Sequence, residues 1–201
     1  GAVLVQNNGA LPLDPTKDSQ KKLNIFGSCA FGMLYGGGGS GVFVTNRKEA
    51  FGKDLSAVKL ETALTEVGFE YNKNLYNLVA NYYESKKYSI ADTDYNISCQ
   101  YNVYNANGAA FGGGNVLDPS CVPTDYEPEA EAYKRTYSGL PDGKTLLEDA
   151  KDYSDVAIFC VTRSGAEDGE LSYGQLQLTV REQEVLEMIR DNFGTVVLLI
   201  N

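Results

Sequence analysis

Three short runs of mainly apolar residues constrain the fold of this chain more than any other feature of its sequence. They are Lys22–Phe26 (KLNIF), Val156–Val161 (VAIFCV) and Thr195–Ile200 (TVVLLI). Continuous runs of this kind are typical of parallel strands that are covered on both faces. The runs alternate with stretches whose apolar residues recur at helical spacing, such as 56–68 and 179–192. The alternation predicts an α/β fold, a three-layer α/β sandwich with a mostly parallel, flavodoxin-like sheet in which all three runs are buried, mutually parallel strands.

The segment from Thr179 to Asn192 is the best defined of the predicted helices. Thr179 and Glu182 have the spacing of a capping box, and Val185 and Ile189 lie on one helical face. We also predict helices at Ser56–Gly68, Asn74–Lys86, Glu127–Tyr137 and Leu146–Tyr153, and a further strand at Phe69–Tyr71.

The sequence changes character between about residues 88 and 128, where Asn, Gly, Ser, Asp and Tyr dominate and hydrophobic periodicity is lost. We interpret this stretch as a long irregular insertion on the surface of a single domain, because 201 residues are too few for two comfortable cores. Cys99 and Cys121 flank its polar part and could form a disulfide bond. Cys160, by contrast, lies within an apolar run and is predicted to be a buried thiol.

Composition excludes several classes of function. The chain has no histidine, which rules out Ser-His-Asp and Cys-His nucleophile systems and histidine metal ligands within it. A net charge of −10 disfavours nucleic acid as a partner, and no apolar run approaches the length of a membrane span. The four cysteines include no C-x-x-C pair, which argues against a zinc site, and we expect no metal and no cofactor. No signal-peptide pattern opens the chain, which favours the cytoplasm, with secretion left open.

Two loops follow predicted strands and are therefore candidate sites, since ligands of parallel sheets bind beyond the carboxyl ends of the strands. The first, here called the glycine loop, is Tyr35–Gly41 (YGGGGSG). It is not a P-loop, because Val42 follows the last glycine, and it is either a flexible linker or a tight loop pressed against a ligand or a neighbouring surface. The second, the carboxylate loop, is Arg163–Glu170 (RSGAEDGE). Its crowded carboxylates could raise one another's pKa, as an acid catalyst needs, or could form a solvated acidic loop.

The order of these motifs resembles the α/β sandwich domain of family 3 glycoside hydrolases. The resemblance fades between about Tyr71 and Tyr153, and it departs from the family pattern at Ala166, where glycine is usual, and at Glu170, where aspartate is usual. The matching segments are Gly1–Leu13 (GAVLVQNNGALPL), Ile25–Gly27, Gly37–Gly41, Val156–Val161, Arg163–Glu170, Thr179–Glu184 and Thr195–Asn201.

The resemblance implies a retaining glycosidase that acts on β-linked sugars, most often β-glucosides. By position, Glu167 would be the acid/base carboxylate, Arg163 would orient its loop, and Asp168 would contact the sugar. Gly39 and Ser40 would approach the sugar site or the barrel domain. The nucleophile of the family is an aspartate on a barrel domain, which needs about 250 residues and is not in this chain. The chain alone is therefore expected to be inactive, and its sandwich to lack a last helix and strand at the C-terminal end.

The expected partners are a β-glucoside or related oligosaccharide and the barrel domain of the same protein, with a homo-oligomer left open and no nucleic acid or membrane. Two other functions remain open at this point. One is a non-catalytic carbohydrate-binding or scaffold domain of the same fold. The other is an unrelated flavodoxin-like module that binds a small molecule, which flavin absorbance of the purified protein would favour.

Overall fold

In the part of the chain that the structure describes, four parallel strands form a sheet in the order β2-β1-β3-β4. They are β1 (Lys22–Phe26), β2 (Glu70–Tyr71), β3 (Val156–Val161) and β4 (Thr195–Ile200). The prediction of three parallel strands is confirmed, and the strand predicted at Phe69–Tyr71 is present in shortened form. The computed structural model describes residues 2–27, 30, 58–77, 129–137, 139–161 and 173–201.

Helices connect the strands, and two of them match the prediction closely. The helix at Leu146–Tyr153 has the predicted bounds, and the helix at Val180–Asn192 begins directly after its N-cap, Thr179. The helices in chain order are α1 (Asp18–Lys21), α2 (Leu60–Glu66), α3 (residues 73–77), α4 (Glu129–Tyr133), α5 (Leu146–Tyr153), α6 (Tyr173–Leu176) and α7 (Val180–Asn192).

Cap chemistry sets the ends of α7 and α2. At the start of α7 the hydroxyl of Thr179 accepts from the N–H of Glu182 at 3.1 Å, and the Glu182 carboxylate accepts from the N–H of Thr179 at 2.8 Å. At the end of α2, Gly68 has a φ of +102°. Its N–H donates to the carbonyl of Thr65, and the next N–H donates to the carbonyl of Leu64, which is the Schellman pattern. The predicted capping box is confirmed, and α2 ends just before Gly68 as its predicted bounds imply, although it starts later than predicted, at Leu60.

One hydrophobic cluster covers the first face of the sheet. It contains Leu23 and Ile25 of β1 and Ile158 of β3, and Leu60 and Leu64 of α2 pack against it. Residues two apart in a strand point to the same face of the sheet. The intervening residues of the same strands therefore point to the opposite face.

The second cluster covers that opposite face. Phe26 of β1 and Phe159 of β3 pack there with Ala150 of α5 and with Val185 and Ile189 of α7. Helices therefore lie on both sides of the sheet, which confirms the predicted three-layer arrangement.

The prediction that Thr195–Ile200 is buried is wrong in part. The strand is present, but Leu198 is 39% exposed and Ile200 is 65% exposed. Within the described part of the chain β4 pairs with β3 along one edge, and an outer strand has less cover than the central β3, whose six residues are all buried. An apolar run alone does not distinguish an outer strand from a central one.

Candidate functional site

The direction in which the chain adds strands to the sheet reverses between β1 and β3. From β1 the chain passes to β2 on one side, and it later returns to β3 on the other side of β1. Phe26 of β1 is in register with Phe159 of β3, so the two strands end close together at the same edge. Ligands of open parallel sheets bind at the carboxyl ends of the strands where the order reverses. This edge is therefore the candidate site.

Gly27, the first residue after β1, is pressed against β3 at this edge. Its φ is +86°, a conformation that side chains disfavour. A Cβ atom placed on it would lie 2.6 Å from the carbonyl oxygen of Cys160 and 2.9 Å from Cε2 of Phe159. Both observations require glycine at the position where the chain leaves the sheet towards the glycine loop.

Tyr133 of α4 holds the same point from the helical side. The N–H of Gly27 donates to the Tyr133 hydroxyl at 3.1 Å, in a buried environment. The Tyr133 ring also meets the ring of Phe26 edge-on, with centroids 5.2 Å apart. The N–H of Ala30 in turn donates to the Gly27 carbonyl at 2.9 Å, and Ala30 is buried. The start of the segment that leads to the glycine loop is therefore fixed by contacts on both sides.

The end of β3 is fixed by β4. The ladder between them runs from Val156 opposite Thr195 to Val161 opposite Ile200, and the N–H of Asn201 adds a bond to the carbonyl of Val161 at 2.9 Å. The carboxylate loop begins at Arg163, two residues beyond Val161. The two predicted loops thus leave from neighbouring strands at one edge of the sheet.

Cys160 is buried beneath this edge as a free thiol, which confirms the prediction from the apolar run. Burial raises the pKa of the Cys160 thiol from its ordinary 9.0 to about 12. A thiol that stays protonated near neutral pH is a poor nucleophile and a poor metal ligand. Cys160 therefore acts as a packing residue of β3.

The predicted site residues themselves lie outside the described residues. They are Gly39, Ser40, Arg163, Glu167 and Asp168. The insertion at 88–128 also lies there, together with Cys99 and Cys121. Their assignments stay predictions, and what the structure describes is the pair of strand ends from which the two loops depart.

Sequence reasoning missed Tyr133 and the close approach of Gly27 to Cys160. A glycine directly after an apolar strand is a signal for a close approach, and Gly27 had that signal. Nothing in the sequence pattern marks Tyr133, because its partner lies 106 positions away along the chain.

The described residues hold neither a metal-binding cluster nor a membrane-spanning helix. In residues 2–27, 30, 58–77, 129–137, 139–161 and 173–201, no group of three or more Cys, Asp or Glu side chains is arranged to hold a metal ion. Over the same ranges, no helix has the length and apolar character required to cross a membrane.

Comparison with known proteins agrees with the motif order and with this fold. Residues 2–201 match the family described as the glycosyl hydrolase family 3 C-terminal domain. The chain belongs to this family. A β-glucosidase of Ruminococcus albus is 27% identical to this family 3 domain over 203 residues, which cover 100% of the chain and 16% of the relative. The chain thus spans about one sixth of that relative's length.

Solved structures of two β-glucosidases contain the same fold. β-Glucosidase 3B from Thermotoga neapolitana, solved in complex with α-D-glucose, aligns with a TM-score of 0.57 at 19% identity. That alignment covers 99% of this chain and 22% of the other. A β-glucosidase from Paenibacillus barengoltzii aligns with a TM-score of 0.59 at 20% identity, covering 98% of this chain and 17% of the other. At these identities the likeness concerns the fold.

Proposed function

We propose that this family 3 domain is one part of a retaining β-glucosidase and supplies its acid/base carboxylate, Glu167. The observation that carries the proposal is the adjacency of β1 and β3 where the sheet changes direction. It brings the origins of the glycine loop and the carboxylate loop to one edge. The β-glucosidase from Ruminococcus albus supports the substrate class.

Glu167 is the best candidate for the proton transfers. The chain has no histidine, and Cys160 is buried and protonated, so a carboxylate is the natural acid/base group at this edge. Glu167 follows Arg163 by four residues, as the family motif requires, in the sequence segment that follows β3. Asp168 and Glu170 beside it would favour its protonated form, because like charges raise one another's pKa.

The reaction would follow the two-step course of retaining glycosidases. In the first step a carboxylate attacks the anomeric carbon while Glu167 donates its proton to the departing glycosidic oxygen. In the second step Glu167, now ionised, removes a proton from water, and the water displaces the carboxylate from the sugar. The two carboxyl groups must stand about 5–5.5 Å apart for this chemistry.

The remaining site residues would bind the sugar and orient the carboxylate loop. The Arg163 guanidinium would hold the carboxylate loop in place, and Asp168 would accept a hydrogen bond from a sugar hydroxyl. Gly39 and Ser40 would bring backbone N–H groups and one hydroxyl to the sugar from the neighbouring loop. Small residues suit this role, since a backbone can approach a ligand closely only where no side chain intervenes.

The nucleophile would lie on a barrel domain elsewhere in a longer polypeptide. The relatives leave room for it, because the aligned region is 16% of the Ruminococcus albus protein and 22% of the Thermotoga neapolitana chain. A barrel of this type needs about 250 residues. In this arrangement residues 1–201 are a single sandwich domain with an insertion at 88–128, and they cannot hydrolyse a glycoside alone.

An activated 2-deoxy-2-fluoro-β-glucoside tests the proposal directly, because it traps the glycosyl-enzyme of a retaining glucosidase. In the complete gene product we expect stoichiometric labelling of a peptide that lies outside these 201 residues. The isolated chain should remain unlabelled and should not hydrolyse aryl β-glucosides. A label within the chain, or turnover by the purified chain above a buffer blank, would contradict the division of the site. Absence of any labelling or turnover in the complete protein would contradict the glucosidase assignment itself.

A further inference from the structure

We propose that Tyr133 is a positioning residue, which fixes the direction in which the segment leading to the glycine loop leaves β1. The inference rests on the proposed function, because that function assigns Gly39 and Ser40 to the sugar site. It concerns a different residue, which lies in the described part of the chain. Tyr133 lies on α4, directly after the stretch predicted to be an insertion, and not on either loop.

Tyr133 holds Gly27, which we call the hinge of that segment. Gly27 is the first residue beyond β1, and glycine has the widest range of backbone conformations. On the β3 side, the Cys160 carbonyl and the Phe159 ring leave no space for a side chain at Gly27. On the α4 side, the Tyr133 hydroxyl accepts the Gly27 N–H at 3.1 Å. This hydrogen bond selects one conformation from the many that glycine allows.

The Tyr133 side chain is itself held in place. It is 2% exposed, and its ring packs edge-on against Phe26, the residue before the hinge. One side chain therefore contacts both the end of the strand and the first residue that leaves it. The Gly27 carbonyl is also held, since it accepts from the N–H of the buried Ala30 at 2.9 Å.

The position of Tyr133 predicts which step of catalysis depends on it. The hydroxyl acts on the segment after β1, whereas the carboxylate loop leaves β3, which stays paired with both β1 and β4. Removing the hydroxyl leaves a buried N–H without its acceptor, and the hinge gains freedom. Substrate binding by the glycine loop should weaken while the proton transfers remain.

Tyr133→Phe in the complete gene product tests this, because it keeps the ring and removes only the hydroxyl. We expect KM for an aryl β-glucoside to rise about tenfold, with kcat changed by less than about threefold and the pH profile unchanged. Hydrogen exchange at the Gly27 amide should also be faster in Tyr133→Phe than in the wild type, where the amide is buried and hydrogen-bonded. Tyr137→Phe is the matched control, since it also removes a single tyrosine hydroxyl, one that donates at 2.9 Å to the carbonyl of Ala132.

The outcomes separate the proposal from its alternatives. An unchanged KM with unchanged exchange, an equal effect of Tyr137→Phe, or a fall in kcat at constant KM would each overturn it. A Tyr133→Phe protein that did not fold would also overturn it, because the hydroxyl would then serve the fold as a whole. If the wild type hydrolysed no β-glycoside, the proposed function would fail, whereas the exchange comparison at Gly27 would still decide whether Tyr133 holds the hinge.

Discussion

The carbonyl oxygen of Cys160 occupies the space that a side chain on Gly27 would need. The distance from that oxygen to a Cβ on Gly27 would be 2.6 Å, and Gly27 already has a φ of +86°. The two residues belong to the neighbouring strand ends from which the candidate loops depart. This contact therefore links the packing of the sheet to the geometry of the candidate site.

Gly27→Ala should destabilise the domain strongly. The alanine would add left-handed backbone strain and a clash with a backbone atom that cannot move aside. Together these should lower the free energy of unfolding by about 2–5 kcal/mol. Urea unfolding followed by circular dichroism measures the change.

Gly143→Ala provides the control for that variant. Gly143 has a similar φ of +78°, but nothing lies within 4 Å of the position of a Cβ. It should lose only the strain contribution, about 1 kcal/mol. Equal losses in the two variants would show that the contact with Cys160 contributes nothing.

Asn24 stabilises the sheet from its centre. Its side chain, fully buried in β1, donates to the carbonyls of Ala150 at 2.9 Å and Ser154 at 2.8 Å, at the C-terminal end of α5. Asn24→Leu keeps a similar size but removes the donor to both carbonyls and the oxygen that accepts from the Asn72 amide at 3.2 Å. We expect a loss of about 2–4 kcal/mol in the free energy of unfolding.

Asn74→Ala is the matched comparison for Asn24→Leu. The Asn74 amide makes one exposed contact, at 3.4 Å, with the carboxylate of Asp149. Its removal should change the free energy of unfolding by less than about 0.5 kcal/mol. A tolerated Asn24→Leu, with a loss no larger than that of Asn74→Ala, would mean that the buried amide is dispensable.

Most of the described secondary structure could be predicted from the sequence, because the residues that determine each strand or helix end lie close together along the chain. The apolar runs of β1 and β3, the capping box of Thr179 and the glycine stop at Gly68 each act within a few residues. The exposure of Ile200 was not predictable in this way, since an apolar run has the same composition at the centre of a sheet and at its edge.

The candidate site was predictable only in its outline. The rule that ligands bind beyond strand ends identified the loops after Phe26 and Val161, but only the sheet order shows that these strands are neighbours. The contacts that fix the strand ends join residues far apart in sequence, such as Tyr133 and Gly27. No periodicity encodes such pairs, because they depend on how whole elements pack.

Burial of Cys160 should make the free energy of unfolding fall as the pH rises above about 9. The unfolded thiol loses its proton near pH 9, whereas burial keeps the folded thiol protonated until about pH 12, the pKa of Cys160. Between these values the unfolded state binds fewer protons, so the free energy of unfolding falls as pH rises, by up to about 1.4 kcal/mol per pH unit. Below pH 9 the stability contributed by this group is fully present.

Unfolding titrations of the wild type and Cys160→Ala between pH 8 and pH 11 measure this effect. Both proteins share the other titrating groups. The difference between their slopes of unfolding free energy against pH therefore gives the contribution of the Cys160 thiol. We also expect iodoacetamide at pH 8 to leave Cys160 unmodified in the folded protein, as read by peptide mass mapping. Identical slopes together with rapid modification would mean that the thiol is accessible.

Glu167→Gln in the complete gene product should reveal the acid/base residue. The amide keeps the size of the carboxyl group but cannot donate or accept the proton, and such catalysis contributes about 10²- to 10⁴-fold to the rate. The loss should be largest for substrates with poor leaving groups, which need protonation to depart, and smaller for activated aryl glucosides. Azide should partly restore turnover where breakdown of the glycosyl-enzyme limits the rate, because azide attacks without the help of a base.

The neighbouring carboxylates of the same loop supply the controls for this assignment. Asp168→Asn and Glu170→Gln remove the same charge within three residues of Glu167. Neither should show dependence on the leaving group or rescue by azide, since neither side chain exchanges a proton with the substrate. The products identify the acid/base directly, because a β-glucosyl azide forms only when azide replaces water on the trapped sugar. Near-normal hydrolysis of a poor leaving group by Glu167→Gln, with collapse in Asp168→Asn or Glu170→Gln, would move the acid/base role to that other carboxylate.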